Sequence, residues 1–164
     1  ARKKSYLRFA DATLRWTGRH YGEAIWLRLV FNAMVGNVDD HPRNHALIRH
    51  AEGWQLSPAF DIVGSVRNEQ VALAMRFHND GAVATPETIL ASAILLGIDP
   101  ELAIASMLRM ADTILSTRRM RFQRIGAEGE NVEKFEGAFK VARQVQKHTF
   151  APVELYKKRT RYQR

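Results

Sequence analysis

Between Gly22 and Val35 the chain reads GEAIWLRLVFNAMV, with apolar residues at Ile25, Leu27, Leu29, Val30, Ala33 and Met34. At helical spacing these residues cover most of the circumference, the mark of a helix buried on nearly every side. Other elements must wrap around such a helix, and 164 residues suffice to do so within one domain. The next stretch is opposite in character. Gly36-Asn37 stops the helix, and DDHPRNH at 39–45 gathers two aspartates, two histidines, an arginine and an asparagine. Polar groups packed this densely beside a buried helix are costly to hold in order unless they bind something.

The remaining elements are arranged around that junction. SYLRFADATLRW carries Leu7, Ala10 and Leu14 at helical intervals, and Gly18 ends it. HALIRH and GWQLSP are short strand-like runs joined by AEG, which predicts a hairpin. AFDIVGSV is irregular, and VALAMRF reads as a strand or an extended segment. After the loop HNDGAVATPE, Thr85 is placed as N-cap and Pro86 at the first helical position of a helix closed by Gly97. Asp99-Pro100 opens a long amphipathic helix, and GENVEKFEGAFKVARQVQKHTF predicts a last one. The stretch 151–164 is a candidate disordered basic tail. Trp16, Trp26 and Trp54 are expected as core or lobe-interface anchors, and Met107, Met110 and Met120 as core fillers. His50 and His78 carry no evident role. The fold class is mainly α with one small β-hairpin in the first half.

Composition narrows the chemistry. The chain has no cysteine, which excludes disulfides and thiolate zinc sites and fits a reducing compartment. Its longest apolar run, ILASAILLGI, is about half of the roughly 20 residues a bilayer span needs. Lys and Arg number 25 against 17 Asp and Glu, a net charge of +8 that favours phosphate-bearing partners. Much of the excess lies in RKK, RRMRFQR and KKRTRYQR, which read first as solvated helix faces and a tail.

Asp39, Asn44 and Asp61 have a spacing with chemical meaning. Asn44 comes five residues after Asp39, and the hairpin separates it from Asp61. A hard cation such as Mg²⁺ takes one or two carboxylates together with phosphate oxygens and water. An asparagine oxygen and a carboxylate brought together by a hairpin make such a half-site, leaving the earlier aspartate to accept a proton from a hydroxyl. Protein kinases divide the labour in this way. Taken singly, Asp39 or Asp40 also suits an Asx-turn, Asn44 is a common turn residue, and Ser57-Pro58 is a turn sequence. His41 and His45 raise a zinc pair, which their carboxylate and amide neighbours disfavour. HPRNH echoes a His-Asn-His nuclease without its usual frame.

NVDDHPRNHALI followed by GWQLSPAFDIVGS resembles the C-terminal lobe of HipA-type serine/threonine kinases, the toxins of bacterial HipBA toxin–antitoxin modules. The resemblance extends from about Ser5 to Val66 and includes SYLRFADA and LVFNAMVGN. It implies a protein-kinase-like helical lobe over 1–164. It implies Asp39 as catalytic base, with Asn44 and Asp61 as metal ligands. His41 and Arg43 support the loop, His41 as a buttress and Arg43 within reach of the transferring phosphate. Asp40 falls where that family varies. The implied cofactors are Mg²⁺ and ATP, the location cytoplasmic with no membrane partner. The implied partners are a helix-turn-helix antitoxin, DNA through that antitoxin, and a protein substrate such as an aminoacyl-tRNA synthetase or another translation component.

The glycines form neither G-x-G-x-x-G nor a Walker-A pattern, and no strand lysine precedes SYLRFADA. The chain is therefore expected to act as the C-terminal lobe alone, with an incomplete ATP site and no kinase activity in isolation. The alternative is a non-catalytic lobe docking an antitoxin or nucleic acid through a basic face. Direct nucleic-acid binding through the basic tail is a third class, recognisable by steep salt dependence.

Overall fold

A computed structural model describes residues 4–66, 70–78, 81–127 and 129–160, the side chains of 131 and 157–160 excepted. Its helices are α1 (Tyr6–Thr17), α2 (Gly22–Met34), α3 (Pro86–Leu95), α4 (Pro100–Arg124), α5 (Glu130–Phe135), α6 (Lys140–Lys147) and α7 (Val153–Thr160). One antiparallel hairpin pairs β1 (Leu47–His50) with β2 (Gly53–Leu56), Leu47 opposite Leu56 and His50 opposite Gly53. The domain is mainly helical, as its periodicities predict. No described helix is long and apolar enough to cross a membrane.

Helix α2 lies at the centre. Ile25, Trp26, Leu29, Val30, Ala33 and Met34 are all fully buried, so the apolar girdle has a partner on almost every side. The Trp26 indole donates to the Ile89 carbonyl at 3.2 Å, tying α2 to α3. Beside the start of α1 runs an extended segment in which Val71, Leu73, Met75 and Phe77 point inward while Ala72 and Ala74 stay exposed. That period of two is strand-like, and the Tyr6 amide donates to the Arg76 carbonyl at 2.9 Å.

Local chemistry sets the helix boundaries. Gly18 adopts φ 66° and its N–H reaches the Leu14 carbonyl, closing α1. The Thr85 hydroxyl accepts from the Thr88 amide and the Thr88 hydroxyl accepts from the Thr85 amide, a capping box that starts α3 with Pro86 in its first turn. The Asp99 carboxylate caps α4 by accepting from the amides of Glu101 and Leu102. Ala103, Met107 and Ala111 line the inner stripe of α4 and are fully buried, and α6 adds Val141, Ala142 and Val145 to the same core.

Three expectations need correction. The last predicted helix is broken by a 3₁₀ turn at Glu136–Phe139, where Gly137 weakens helical propensity and Ala138 and Phe139 tuck inward. Within the stretch expected to be disordered, Val153–Thr160 is helical and packs against α3 and α4, while residues 161–164 lie outside the described residues. Trp16 and Trp54 are exposed, which corrects the core half of their expected core or lobe-interface placement, and Met120 is exposed too, whereas Trp26 and Met107 are buried and Met110 is partly buried. Surface apolar residues are common enough that residue type alone did not separate the two groups.

The 3₁₀ turn is held electrostatically. The Arg118 guanidinium donates to Glu136 Oε1 at 3.0 Å and to Oε2 at 3.2 Å. Arg143 donates to Glu136 Oε2 at 3.0 Å and to the Glu136 carbonyl at 2.6 Å. The hydrogen bond from Arg118 holds the Glu136 carboxyl below its ordinary range, against the opposing effect of burial and with help from the charges of Arg118 and Arg143. A depressed folded pKa contributes stability that is fully present above the ordinary carboxylate value and lost as pH falls through the depressed one. Glu136→Gln should therefore flatten the acid limb of a stability–pH curve below about pH 4.5, the ordinary carboxylate value. The group is partly solvated, so the effect near neutrality should stay within about 1 kcal/mol in urea titrations.

Candidate active site

The polar loop leaves α2 through a left-handed glycine. Gly36 has φ 69°, and a Cβ built on it would lie 3.0 Å from the Ala138 carbonyl oxygen and 3.1 Å from the Ala138 Cα. The Asn37 amide returns to the Asn32 carbonyl at 2.8 Å, and the two buried side chains pair at 3.1 Å. The chain then presents its two aspartates in opposite senses: Asp39 is exposed and Asp40 is buried. Next comes a 3₁₀ turn over Pro42–Asn44, closed by the Asn44 amide donating to the His41 carbonyl at 2.9 Å.

Asn44 is buried, and its side-chain Nδ2 donates to the Asp39 carbonyl at 3.4 Å. That bond uses the nitrogen and leaves Oδ1, the atom a hard cation takes, without a hydrogen bond among the described residues. Arg43 is exposed. His41 is half-buried, and its Nδ1 has no hydrogen-bond partner among the described residues. Its hydrogen-bonded link to the loop is through the backbone carbonyl, which accepts from the Asn44 amide.

The hairpin returns the chain to the same place. The Ser57 amide donates to the Ala46 carbonyl at 2.9 Å, two residues beyond Asn44. The Ser57 carbonyl accepts from the Arg28 guanidinium of α2. Further on, the Ser65 amide donates to the Gly36 carbonyl at 3.0 Å, and a Cβ on Gly64 would lie 2.8 Å from the Val35 carbonyl oxygen. The segment carrying Asp61 is therefore pinned at both ends against the loop carrying Asp39 and Asn44. Asp61 itself is exposed, with φ 56°, a left-handed conformation held by no other non-glycine residue described. Such backbone strain is found where surrounding structure over-determines a residue, often at functional sites. Among the described residues neither the Asp39 nor the Asp61 carboxylate has a hydrogen-bond or ion-pair partner.

Beneath this surface lies a second polar layer that the sequence did not disclose. The Asp40 carboxylate accepts the Tyr6 hydroxyl of α1 through Oδ2, and Oδ1 lies 3.0 Å from His45 Nε2. Burial, reinforced by the Asp40 charge and hydrogen bond, drives the Tyr6 hydroxyl far above the usual phenol range, so it stays a donor. Burial lowers the Arg28 pKa below the ordinary guanidinium value, with the Asp40 charge opposing the shift. The His45 ring packs on Phe9 at 4.7 Å and edge-on to Tyr6 at 6.0 Å. With Nε2 facing Asp40 and its side chain almost wholly buried, His45 is no partner for His41 in a surface zinc site. One signal could have revealed the layer: Arg28 and Asn32 stand four residues apart within the apolar stretch of α2 and so share a face.

The oxygen donors of the loop and of the Asp61 segment are of the kind an oxygen-seeking cation takes. No cluster of three or more His, Asp or Glu that could hold a metal exists among the described residues. A Mg²⁺ site that takes one or two carboxylates, with phosphate and water completing the shell, needs none. Asn44 Oδ1 and the Asp61 carboxylate are oxygen donors of the type such a shell takes.

No curated protein matches the chain. The family described as HipA-like C-terminal domain matches residues 1–118 of the 164. The matched span contains the polar loop, the hairpin and the strained aspartate, and the chain belongs to the HipA-like C-terminal domain family.

Proposed function

We propose that this domain is the metal-holding, base-carrying lobe of a serine/threonine protein kinase of the toxin–antitoxin type. The observation that carries the reading is the pinning of the Asp61 segment, at Ser57 and at Ser65, onto the loop bearing Asp39 and Asn44. Mg²⁺-ATP, when bound, supplies the transferable phosphoryl group and the cation that offsets its charge. Asn44 Oδ1 and Asp61 would hold the cation. Asp39 orients the acceptor hydroxyl and takes its proton on a carboxylate oxygen. Arg43, exposed on the turn between them, offers a cation to phosphate oxygens. On the same reading the acceptor is a protein hydroxyl of the translation machinery, and the regulatory partner is a helix-turn-helix antitoxin that brings DNA with it.

Manganese substitutes for magnesium and broadens nearby nuclear resonances, so the metal half of the reading is testable on these 164 residues alone. In a Mn²⁺ titration of the isotopically labelled chain, broadening should centre on residues 39–44 and 60–62. Asn44→Ala and Asp61→Asn should each weaken Mn²⁺ binding about tenfold or more, at least about 1.4 kcal/mol. Asp39→Asn should leave affinity within about twofold, since a base is not a ligand. Broadening centred elsewhere, for example on Glu130 and Glu133, would remove the metal site and favour a non-catalytic docking role.

A further inference from the structure

Asp40 and His45 stand in the same five-residue relation as Asp39 and Asn44, shifted by one position. The buried pair is joined by the 3.0 Å approach of His45 Nε2 to Asp40 Oδ1. The outer pair is joined by Asn44 Nδ2 donating to the Asp39 carbonyl at 3.4 Å. The turn is thus closed twice, once by side chains in the interior and once at its rim. Each candidate chemical group immediately precedes a member of the buried pair.

The interior closure is anchored to three other parts of the fold. Tyr6 brings in the first turn of α1 through its hydroxyl. Arg28 brings in α2, its charge acting on the same buried region while its guanidinium holds the Ser57 carbonyl at the end of the hairpin. Phe9 and Tyr6 of the same helix both make ring contacts with His45. A buried carboxylate is costly unless it is partnered, and here it accepts the Tyr6 hydroxyl, lies 3.0 Å from His45 Nε2 and feels the charge of Arg28.

We propose that Asp40 is a positioning residue, whose contacts with Tyr6 and His45 fix the separation between the Asp39 base and the Asn44 ligand. This rests on the roles of Asp39 and Asn44 in the kinase reading, but the geometric part stands without them. Asp40 touches neither substrate nor cation; it acts through the turn. Two variants probe it. Asp40→Asn keeps the shape and removes the charge. Tyr6→Phe keeps the ring and removes only the hydroxyl, so it stays informative if the first variant fails to fold.

The first readout is hydrogen exchange in the labelled chain, followed at the Asn44 side-chain amide, the Asn44 backbone amide and the core amides of Leu29 and Val141. Either variant should accelerate exchange at both Asn44 sites by about tenfold while the core amides change less than about twofold, the pattern of a local opening. Unchanged Asn44 exchange overturns the proposal, and so does a uniform rise that includes the core, which would mean lost global stability alone. The second readout is phosphoryl transfer by a polypeptide that carries this chain. There kcat should fall about tenfold or more while the nucleotide KM stays within about twofold. A looser turn with an unchanged kcat overturns the positioning role and leaves the metal site intact. Absence of transfer in the parent protein would instead count against the kinase reading, and the exchange result would still decide whether Asp40 sets the turn.

Discussion

Asp39→Asn should lower phosphoryl transfer to a protein acceptor by about 10²–10⁴-fold, the contribution usual for a positioned general base. The substitution is nearly isosteric, and Asp39 is exposed with no side-chain partner among the described residues, so little but basicity is removed. Its backbone carbonyl, which accepts from Asn44 Nδ2, is untouched. The assay is transfer of labelled phosphate from ATP by a polypeptide carrying this chain, alongside the Mn²⁺ titration of the same variant. Lost transfer with retained metal binding separates the base from the ligands. Transfer at the parental rate would end the assignment of Asp39 as base. Asp40 is no ready substitute, because its carboxylate is buried and already accepts the Tyr6 hydroxyl.

Gly36→Ala should cost about 2–5 kcal/mol of stability, from two separable sources. The left-handed backbone at φ 69° penalises any Cβ by about 1–2 kcal/mol. The new methyl would also meet Ala138 backbone at 3.0 and 3.1 Å, where neither partner is the free end of a side chain. Overpacking of that kind costs about 1–3 kcal/mol more. Gly18 supplies the control, since it has φ 66° with nothing within 4 Å of a built Cβ. In urea melts Gly18→Ala should show the backbone part alone, and the excess in Gly36→Ala measures the contact with Ala138. Equal losses in the two variants would show that the contact is not tight.

What the sequence disclosed was largely local. The all-round apolar pattern of α2, the glycine stop after α1, the Thr85-Pro86 and Asp99-Pro100 starts and the AEG hairpin each depend on neighbours within a few residues, and all are present. The spacing of Asp39, Asn44 and Asp61 was legible for the same reason, because a turn and a hairpin are short devices. The layer beneath was not. Asp39 and Asp40 are chemically identical neighbours, and only the packing of α1 against the loop assigns one to solvent and the other to Tyr6 and His45. The strain at Asp61 and the anchoring of its segment at Gly36 arise from contacts between parts of the chain separated by many residues. The helix at Val153–Thr160 was hidden by its charge, which masks the few apolar residues that dock it, among them Tyr156.

The recognised family span stops at residue 118, partway along α4, but the interior does not stop there. Val141, Ala142 and Val145 fill space against the central helix, and Ala138 forms the floor under Gly36. A polypeptide cut at the edge of the recognisable motif would leave the inner stripe of α4 wet and the mouth of the loop without its backstop. The interior therefore runs on through α6, and the motif that identifies the domain is shorter than the body packed around it.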